Sequence, residues 1–281
     1  MTTTWLDPPL TAVREVVARA LAEDLGVFGD VTASLVPVTA TVAASIVARA
    51  TGVLAGRLAA SETFAAVDSA IALQWSAADG DRIDAGRLLG QVRGPLRSVL
   101  TAERTALNLL GHLSGVATLT RRFVDTAGPS VRIRDTRKTT PGLRALEKAA
   151  VRAGGGVNHR ASLADGILLK DNHLAGISIE AAVAEAKRRW PGIPCEVECD
   201  TLDQVKVGVA AGADLILVDN MDAAGVAAAV RLAGGRIPIE VSGRVTLESV
   251  ASYAAAGADL ISVGALTHSA SVLDIGLDLE R

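Results

Sequence analysis

Aromatic side chains are nearly absent from these 281 residues, which hold three tryptophans, three phenylalanines and one tyrosine. Since 49% of positions are still hydrophobic, the core must be aliphatic and alanine-rich. Small side chains suit the close helix-on-sheet packing of a layered α/β protein. Cysteine is as scarce, with only Cys195 and Cys199. Both lie in the strand-like run 194–199, Pro-Cys-Glu-Val-Glu-Cys, where four residues span about 13 Å. That separation is too long for a mutual disulfide. Basic charge is not in excess, because the net charge is -3, so there is no overall field for nucleic acid or an anionic membrane. No apolar run reaches the roughly 18 residues of a membrane span. Residues 1–10 hold no basic residue and no apolar signal core. The expectation is a reduced, cytoplasmic protein that binds neither nucleic acid nor membrane.

Several catalytic signatures are missing too. The four histidines form no His-x-x-x-His pair, and no histidine stands at zinc-ligand spacing from a cysteine. There is no Gly-x-Ser-x-Gly elbow or Walker loop, and no Gly-x-Gly-x-x-Gly turn follows a strand-like run.

What is present is repetition. Residues 211–218, Ala-Gly-Ala-Asp-Leu-Ile-Leu-Val, return at 256–263 as Ala-Gly-Ala-Asp-Leu-Ile-Ser-Val. Each copy follows an alanine-rich helical stretch, so the glycine suits a helix end and the apolar run a buried parallel strand. Similar runs occur at 131–135, 166–170, 195–199 and 237–241. Six βα units imply a parallel sheet, doubly wound or closed as a barrel; the missing dinucleotide turn favours the barrel. The first hundred or so residues read as α+β: an amphipathic helix at 11–25, strands at 42–49 and 71–77, and a helix at 57–67 between them. The turn-rich segment 79–89 resembles the hammerhead of biotin and lipoyl carriers. No lysine precedes Lys138, so that likeness is structural. A long helix at 98–126 joins the parts. The expected fold is an incomplete parallel α/β barrel (residues 111–281) with a smaller α+β N-terminal domain and joining helix (residues 1–110), to which the last residues return.

Charge is concentrated within residues 131–173, where nine basic residues face four acidic ones. A cationic segment in an acidic chain points to a small polyanionic substrate. Arg144, Lys148 and Arg152, spaced four apart, read as a solvated helix face. Arg137 and Lys138 instead follow a strand, and Lys170 ends the apolar run 166–170, where an unpaired charge is costly. In a parallel barrel such strand ends line the active-site mouth. Glu198 and Asp219 end strands and Asp171 follows Lys170. Carboxylates so placed either hold Mg²⁺ bridging a pyrophosphate or merely cap the next helix. The strand ends at Ser242-Gly243 and Gly264-Ala265 are small, as backbone contact with a phosphate requires. His268 follows Gly264 by four residues. These features define a barrel enzyme for an anionic, phosphate-bearing substrate, without fixing the reaction.

Residues 135–144, Asp-Thr-Arg-Lys-Thr-Thr-Pro-Gly-Leu-Arg, resemble a signature of quinolinate phosphoribosyltransferases. So do 155–160 (Gly-Gly-Val-Asn-His-Arg), 169–173 (Leu-Lys-Asp-Asn-His), 101–108, 196–198 and 263–269. The resemblance covers nearly the whole chain. It implies decarboxylating phosphoribosyl transfer from phosphoribosyl pyrophosphate to quinolinate, giving nicotinate mononucleotide for NAD biosynthesis. It also implies a homodimer, or a higher oligomer built from it. Arg104, Arg137, His159, Arg160 and Lys170 would bind the two quinolinate carboxylates, with Arg104 supplied by the partner subunit. Lys138, Glu198 and Asp219 would hold phosphoribosyl pyrophosphate and its Mg²⁺, with Asp171 nearby. Lys138, Lys170, Glu198 and Asp219 are thus the catalytic set. Ser242, Gly243, Gly264 and His268 would hold the 5′-phosphate. At position 244 the chain has arginine where the family often has glycine or asparagine. The rival readings are a related molybdenum-operon pyrophosphorylase-like protein, a Schiff-base lyase using Lys170, and a non-catalytic ligand-binding barrel.

Overall fold

The structure, a computed structural model, describes residues 6–280. It opens with helix α1 (Leu10–Leu25), strands β1 (Thr41–Ala48) and β2 (Gly52–Val53), and helix α2 (Arg57–Val67). Strands β3 (Ala72–Trp75), β4 (Arg82–Ile83) and β5 (Leu88–Pro95) lead to the long helix α3 (Leu96–Ala127). Strand β6 (Arg132–Arg134) precedes helix α4 (Arg144–Ala153), and β7 (Ile167–Leu169) precedes α5 (Asp171–Leu174) and α6 (Ile179–Arg189). Strand and helix then alternate: β8 (Cys195–Cys199), α7 (Leu202–Ala210), β9 (Leu215–Asp219), α8 (Ala223–Ala233), β10 (Ile239–Ser242), α9 (Leu247–Ala255), β11 (Leu260–Ser262) and α10 (Ala265–His268). Strand β12 (Ile275–Leu279) closes the order.

The chain divides into two compact units. The first takes the residues up to Arg121, 139–155 and those from Leu266 onward; the second takes 122–138 and 156–265. In the first, an antiparallel sheet runs β12-β1-β5-β3. Its buried face carries Ile46, Leu89 and Val92, packed with Phe64 of α2 and Val99 and Leu110 of α3. The C-terminal strand enters this sheet beside β1, pairing Ile46 with Leu277.

Helix α4 corrects one expectation. Its Lys148 is only 3% exposed, and Arg152 donates to the backbone oxygens of Leu6 and Asp7 at 3.2 Å. Every residue from Leu146 to Val151 is buried, because α4 lies within the first unit and packs on α1. A four-residue charge spacing does not show which side of a helix faces water when both sides are covered.

The second unit holds six parallel strands in the order β6-β11-β10-β9-β8-β7. Each strand bonds its neighbour; beyond β6 an isolated parallel bridge joins Arg134 to Val157, and among the described residues no strand pairs β6 with β7 to close the ring, so the barrel is incomplete. The repeated octapeptide has a physical reason. In both copies the glycine takes positive φ just past a helix, 76° at Gly212 and 93° at Gly257, a conformation that costs glycine least. The aspartate after it accepts the N–H of a neighbouring strand's first residue: Asp214 from Cys195 and Asp259 from Ile239, each at 2.8 Å.

Candidate active site

Parallel strands bring their carboxyl ends to one rim, and most of the residues singled out above lie there. A cleft of about 250 Å³ is lined by Arg137, Lys138, His159, Arg160, Lys170, Glu198 and Ser242. Arg137 and Lys138 lie just beyond β6, where the Lys138 N–H donates to Thr136 Oγ1 at 3.0 Å. Lys170 follows β7 and forms an ion pair with Glu198 of β8. Arg160 lies on the loop before β7 and donates through Nη1 to Gly166 O at 2.9 Å. Burial, and then the neighbouring Arg137, hold the Arg160 pKa below the usual arginine value. An anion between the two guanidinium groups relieves that repulsion.

Asp219 ends β9 and is bonded by Asn220 Nδ2. In register it pairs with Ser242, the last residue of β10. The capping alternative does not hold for Glu198 and Asp219, whereas Asp171 accepts the backbone N–H of Asn172 at the start of α5. Helix α7 is capped by Thr201, which accepts from Gln204 N, and α8 by Asp222, which accepts from Gly225 N. Glu198 and Asp219 are therefore not used as helix caps. Asp171 lies exposed in the first turn of α5.

Gly243 is backbone-determined: its φ is 99°, and a Cβ there would lie 2.7 Å from the backbone nitrogen of Asn220. Asn220 and Arg244 also have positive φ, 56° and 46°, so the loops after β9 and β10 turn tightly against each other. Gly264 stands two residues past β11. Arg104 and His268 belong to the other unit. Arg104 is exposed on α3, and His268 Nδ1 lies 2.7 Å from Ser269 Oγ.

Below the rim lies a buried polar layer that sequence reasoning did not assign. Glu240, 0% exposed, is ion-paired with Arg134 and accepts the Ser262 hydroxyl. Glu196 Oε2 lies 3.0 Å from His159 Nε2. Glu196 Oε1 is buried without a hydrogen-bond partner among the described residues. Burial pushes the pKa of both acids up; for Glu240 the charge of Glu196 adds to it, while Arg134 opposes the rise in both. His159, Glu196 and Glu240 are also close enough to share a cation, with ligand atoms within 4.8 Å of one another. Asp135, 0% exposed, accepts from His159 N at 2.8 Å and from Asn158 Nδ2 at 2.6 Å, anchoring the loop that carries His159 and Arg160. The available signal was an acid inside an apolar strand run: Glu196 in 195–199 and Glu240 in 239–242.

Fold and site together define an α/β barrel with cations and acids gathered at the carboxyl ends of its strands, an arrangement suited to binding polyanions. The family model for the C-terminal domain of quinolinate phosphoribosyl transferase matches residues 116–278, and that for the N-terminal domain matches residues 30–114. The chain belongs to the quinolinate phosphoribosyltransferase family. It is 46% identical to the nicotinate-nucleotide pyrophosphorylase [carboxylating] of Mycobacterium leprae, over 97% of this chain and 99% of that one. It is 40% identical to a probable enzyme of the same name from Bacillus subtilis, over 95% and 93%. A solved nicotinate-nucleotide pyrophosphorylase from Francisella tularensis superposes with a TM-score of 0.94 at 36% identity, covering 100% of both chains.

Proposed function

We propose that this chain transfers the phosphoribosyl group of phosphoribosyl pyrophosphate to quinolinate with loss of CO₂, giving nicotinate mononucleotide and pyrophosphate. The observation that carries the reading is the joint placement of Arg137, Arg160 and Lys170 with Glu198 in one cleft. Such a cleft can receive a dianion and a pyrophosphate side by side.

The quinolinate nitrogen attacks C1′ of the ribose as the bond to pyrophosphate breaks, and the leaving oxygen keeps the electron pair. The ring nitrogen then carries positive charge. The adjacent C2 carboxylate leaves as CO₂, and its bonding electrons remain on C2 until a proton arrives. Arg137, Arg160 and Lys170 supply positive charge for the two quinolinate carboxylates, with His159 beside them; Lys138 faces the pyrophosphate. Held together, the reactants need little further help than orientation and charge stabilisation.

The oxygen donors of Glu198 and Asp219, with a pyrophosphate as co-ligand, suit Mg²⁺. Bound there, Mg²⁺ would neutralise charge developing on pyrophosphate. The buried group at His159 suits it less, since Arg134 and Ser262 already occupy Glu240. Asp171 is assigned beside the pyrophosphate and its Mg²⁺, and Ser242, Gly243, Gly264 and His268 to the 5′-phosphate.

The working form in this reading is a homodimer in which Arg104 completes the partner's site. Arg104 is exposed and has no hydrogen-bond or ion-pair partner among the described residues of its own chain. The same unit exposes Val27 (94%), Phe28 (88%) and Leu35 (85%), apolar side chains that a second copy would cover. No helix of the described residues is long and apolar enough to cross a membrane, and the reduced thiols of Cys195 and Cys199 fit work in the cytoplasm. The ion pair of Lys170 with Glu198 supports reading Lys170 as a charge contact over the Schiff-base alternative. The test is quinolinate- and Mg²⁺-dependent release of pyrophosphate with nicotinate mononucleotide as co-product. Absence of that product from active protein overturns the assignment.

A further inference from the structure

A parallel barrel is ordinarily filled by branched aliphatic side chains. This one instead buries two carboxylates, Glu196 on β8 and Glu240 on β10, at 5% and 0% exposure. Burying carboxylates is costly unless they are paired and hydrogen-bonded. Neither acid reaches a helix N-terminus or an exposed rim, and the proposed reaction gives neither a substrate to touch. Both face the ring of His159: Nε2 lies 3.0 Å from Glu196 Oε2 and 3.9 Å from Glu240 Oε1.

The other ring nitrogen fixes the tautomer. The backbone N–H of Arg160 donates to His159 Nδ1 at 2.7 Å. A backbone N–H can only donate, so Nδ1 must be bare and the ring proton must sit on Nε2, toward the acids. The ring is thus a neutral strut with its donor on the buried carboxylates and its acceptor on the Arg160 backbone. Asp135 holds the same segment from the other side through His159 N.

We propose that Glu196 and Glu240 are positioning residues that act through His159, holding the Arg160 segment where its guanidinium meets a substrate carboxylate. The inference rests on the proposed dianion site and deepens it. Glu196 supplies the direct acceptor, while Glu240, fixed by Arg134 and Ser262, backs it. His159 is then an orienting group, and the positive charge in this part of the cleft comes from the arginines and Lys170.

The test separates an acceptor from a charge. Glu196→Gln keeps a carbonyl oxygen facing Nε2 and should leave the quinolinate KM within about threefold of the parent. Glu196→Leu removes the acceptor and should raise that KM roughly tenfold or more, with the KM for phosphoribosyl pyrophosphate unchanged. In a His159→Phe background the Leu substitution should add nothing, because the partner nitrogen is already gone. Effects that multiply in the double variant, or that move both KM values together, overturn the proposal. Nitrogen-15 spectra of the parent protein's imidazoles give a second readout, unaffected by any failure of a variant to fold. His159 should show a bare Nδ1 and a protonated Nε2; a proton on Nδ1 overturns the strut whether or not the protein turns over quinolinate. A parent that shows the expected tautomer but makes no nicotinate mononucleotide overturns the functional reading, and with it the positioning role.

Discussion

Lys170 Nζ and Glu198 Oε2 form an ion pair across the adjacent carboxyl ends of β7 and β8. The two residues have opposite assignments, Lys170 to a quinolinate carboxylate and Glu198 to the metal and pyrophosphate. Each side of the pair therefore competes with a substrate for its partner, and loading the site must divide it. Removing the acid leaves the lysine free for an anion. Glu198→Gln should leave quinolinate binding intact or tighter, while raising the KM for phosphoribosyl pyrophosphate about tenfold or more. Asp219→Asn should raise the same KM without touching quinolinate binding. Calorimetric titration of quinolinate, with initial rates over phosphoribosyl pyrophosphate and Mg²⁺, checks both. Full activity in excess chelator would remove the metal role.

The crowd of cations makes a second expectation about substrate choice. Nicotinate lacks the carboxylate next to the ring nitrogen, so one cation in the cleft stays unpaired and partly desolvated. Losing a charge-assisted contact of this kind costs about 3 kcal/mol, roughly a hundredfold in kcat/KM. Competition between nicotinate and quinolinate in one assay measures it, and comparable turnover of the two would sink the site assignment.

Much of this architecture was legible because parallel strands buried on both faces announce themselves as apolar runs. The run at 195–199 and the helix at 57–67 stand in the structure with those limits, and the repeated octapeptide marks β9 and β11. Charges ending such runs, as at Lys170, Glu198 and Asp219, pointed to the rim. Lys148 was misread because local spacing does not show what packs on a helix. The Glu196–His159–Glu240 layer was missed because its members come from a loop and two strands, far apart in sequence. Only the sheet order and the inward alternation of β8 and β10 bring them together.

The cysteines should be chemically silent. Burial in the barrel pushes the Cys195 thiol up to about 11 and the Cys199 thiol up to about 12. A raised thiol pKa means that thiolate, the reactive form, accumulates only well above neutral pH. At pH 8 the folded protein should not react with a disulfide reagent, and two thiols should appear on denaturation. Cys195→Ser combined with Cys199→Ser should leave turnover in place; its loss in a folded variant would show a role not visible in the geometry.

Arg244 carries a backbone cost. Its φ of 46° lies in the left-handed region, which L-residues with a Cβ occupy at about 1–2 kcal/mol and asparagine tolerates better. Arg244→Asn should therefore stabilise the fold by about 1 kcal/mol, seen as a later urea midpoint with an unchanged slope. A midpoint that falls would show that the arginine side chain contributes more than its backbone conformation costs.

The shared site has the most distinctive expectation. Arg104 lies on α3 in the first unit, whereas the other assigned carboxylate ligands lie in the second. If it serves the partner's cleft, a lone subunit cannot complete its own site. Arg104→Ala and Lys170→Ala homodimers should each be nearly inactive. When the two are mixed and subunits exchange, every mixed dimer has one site with both defects and one built wholly from intact residues. Random pairing makes about half of the dimers mixed, so roughly a quarter of all sites should regain activity. The recovered sites should show the parent KM for quinolinate, since nothing in them is altered. Mixed dimers confirmed by mass that stay as inactive as their parents would place Arg104 in its own subunit's site or in none.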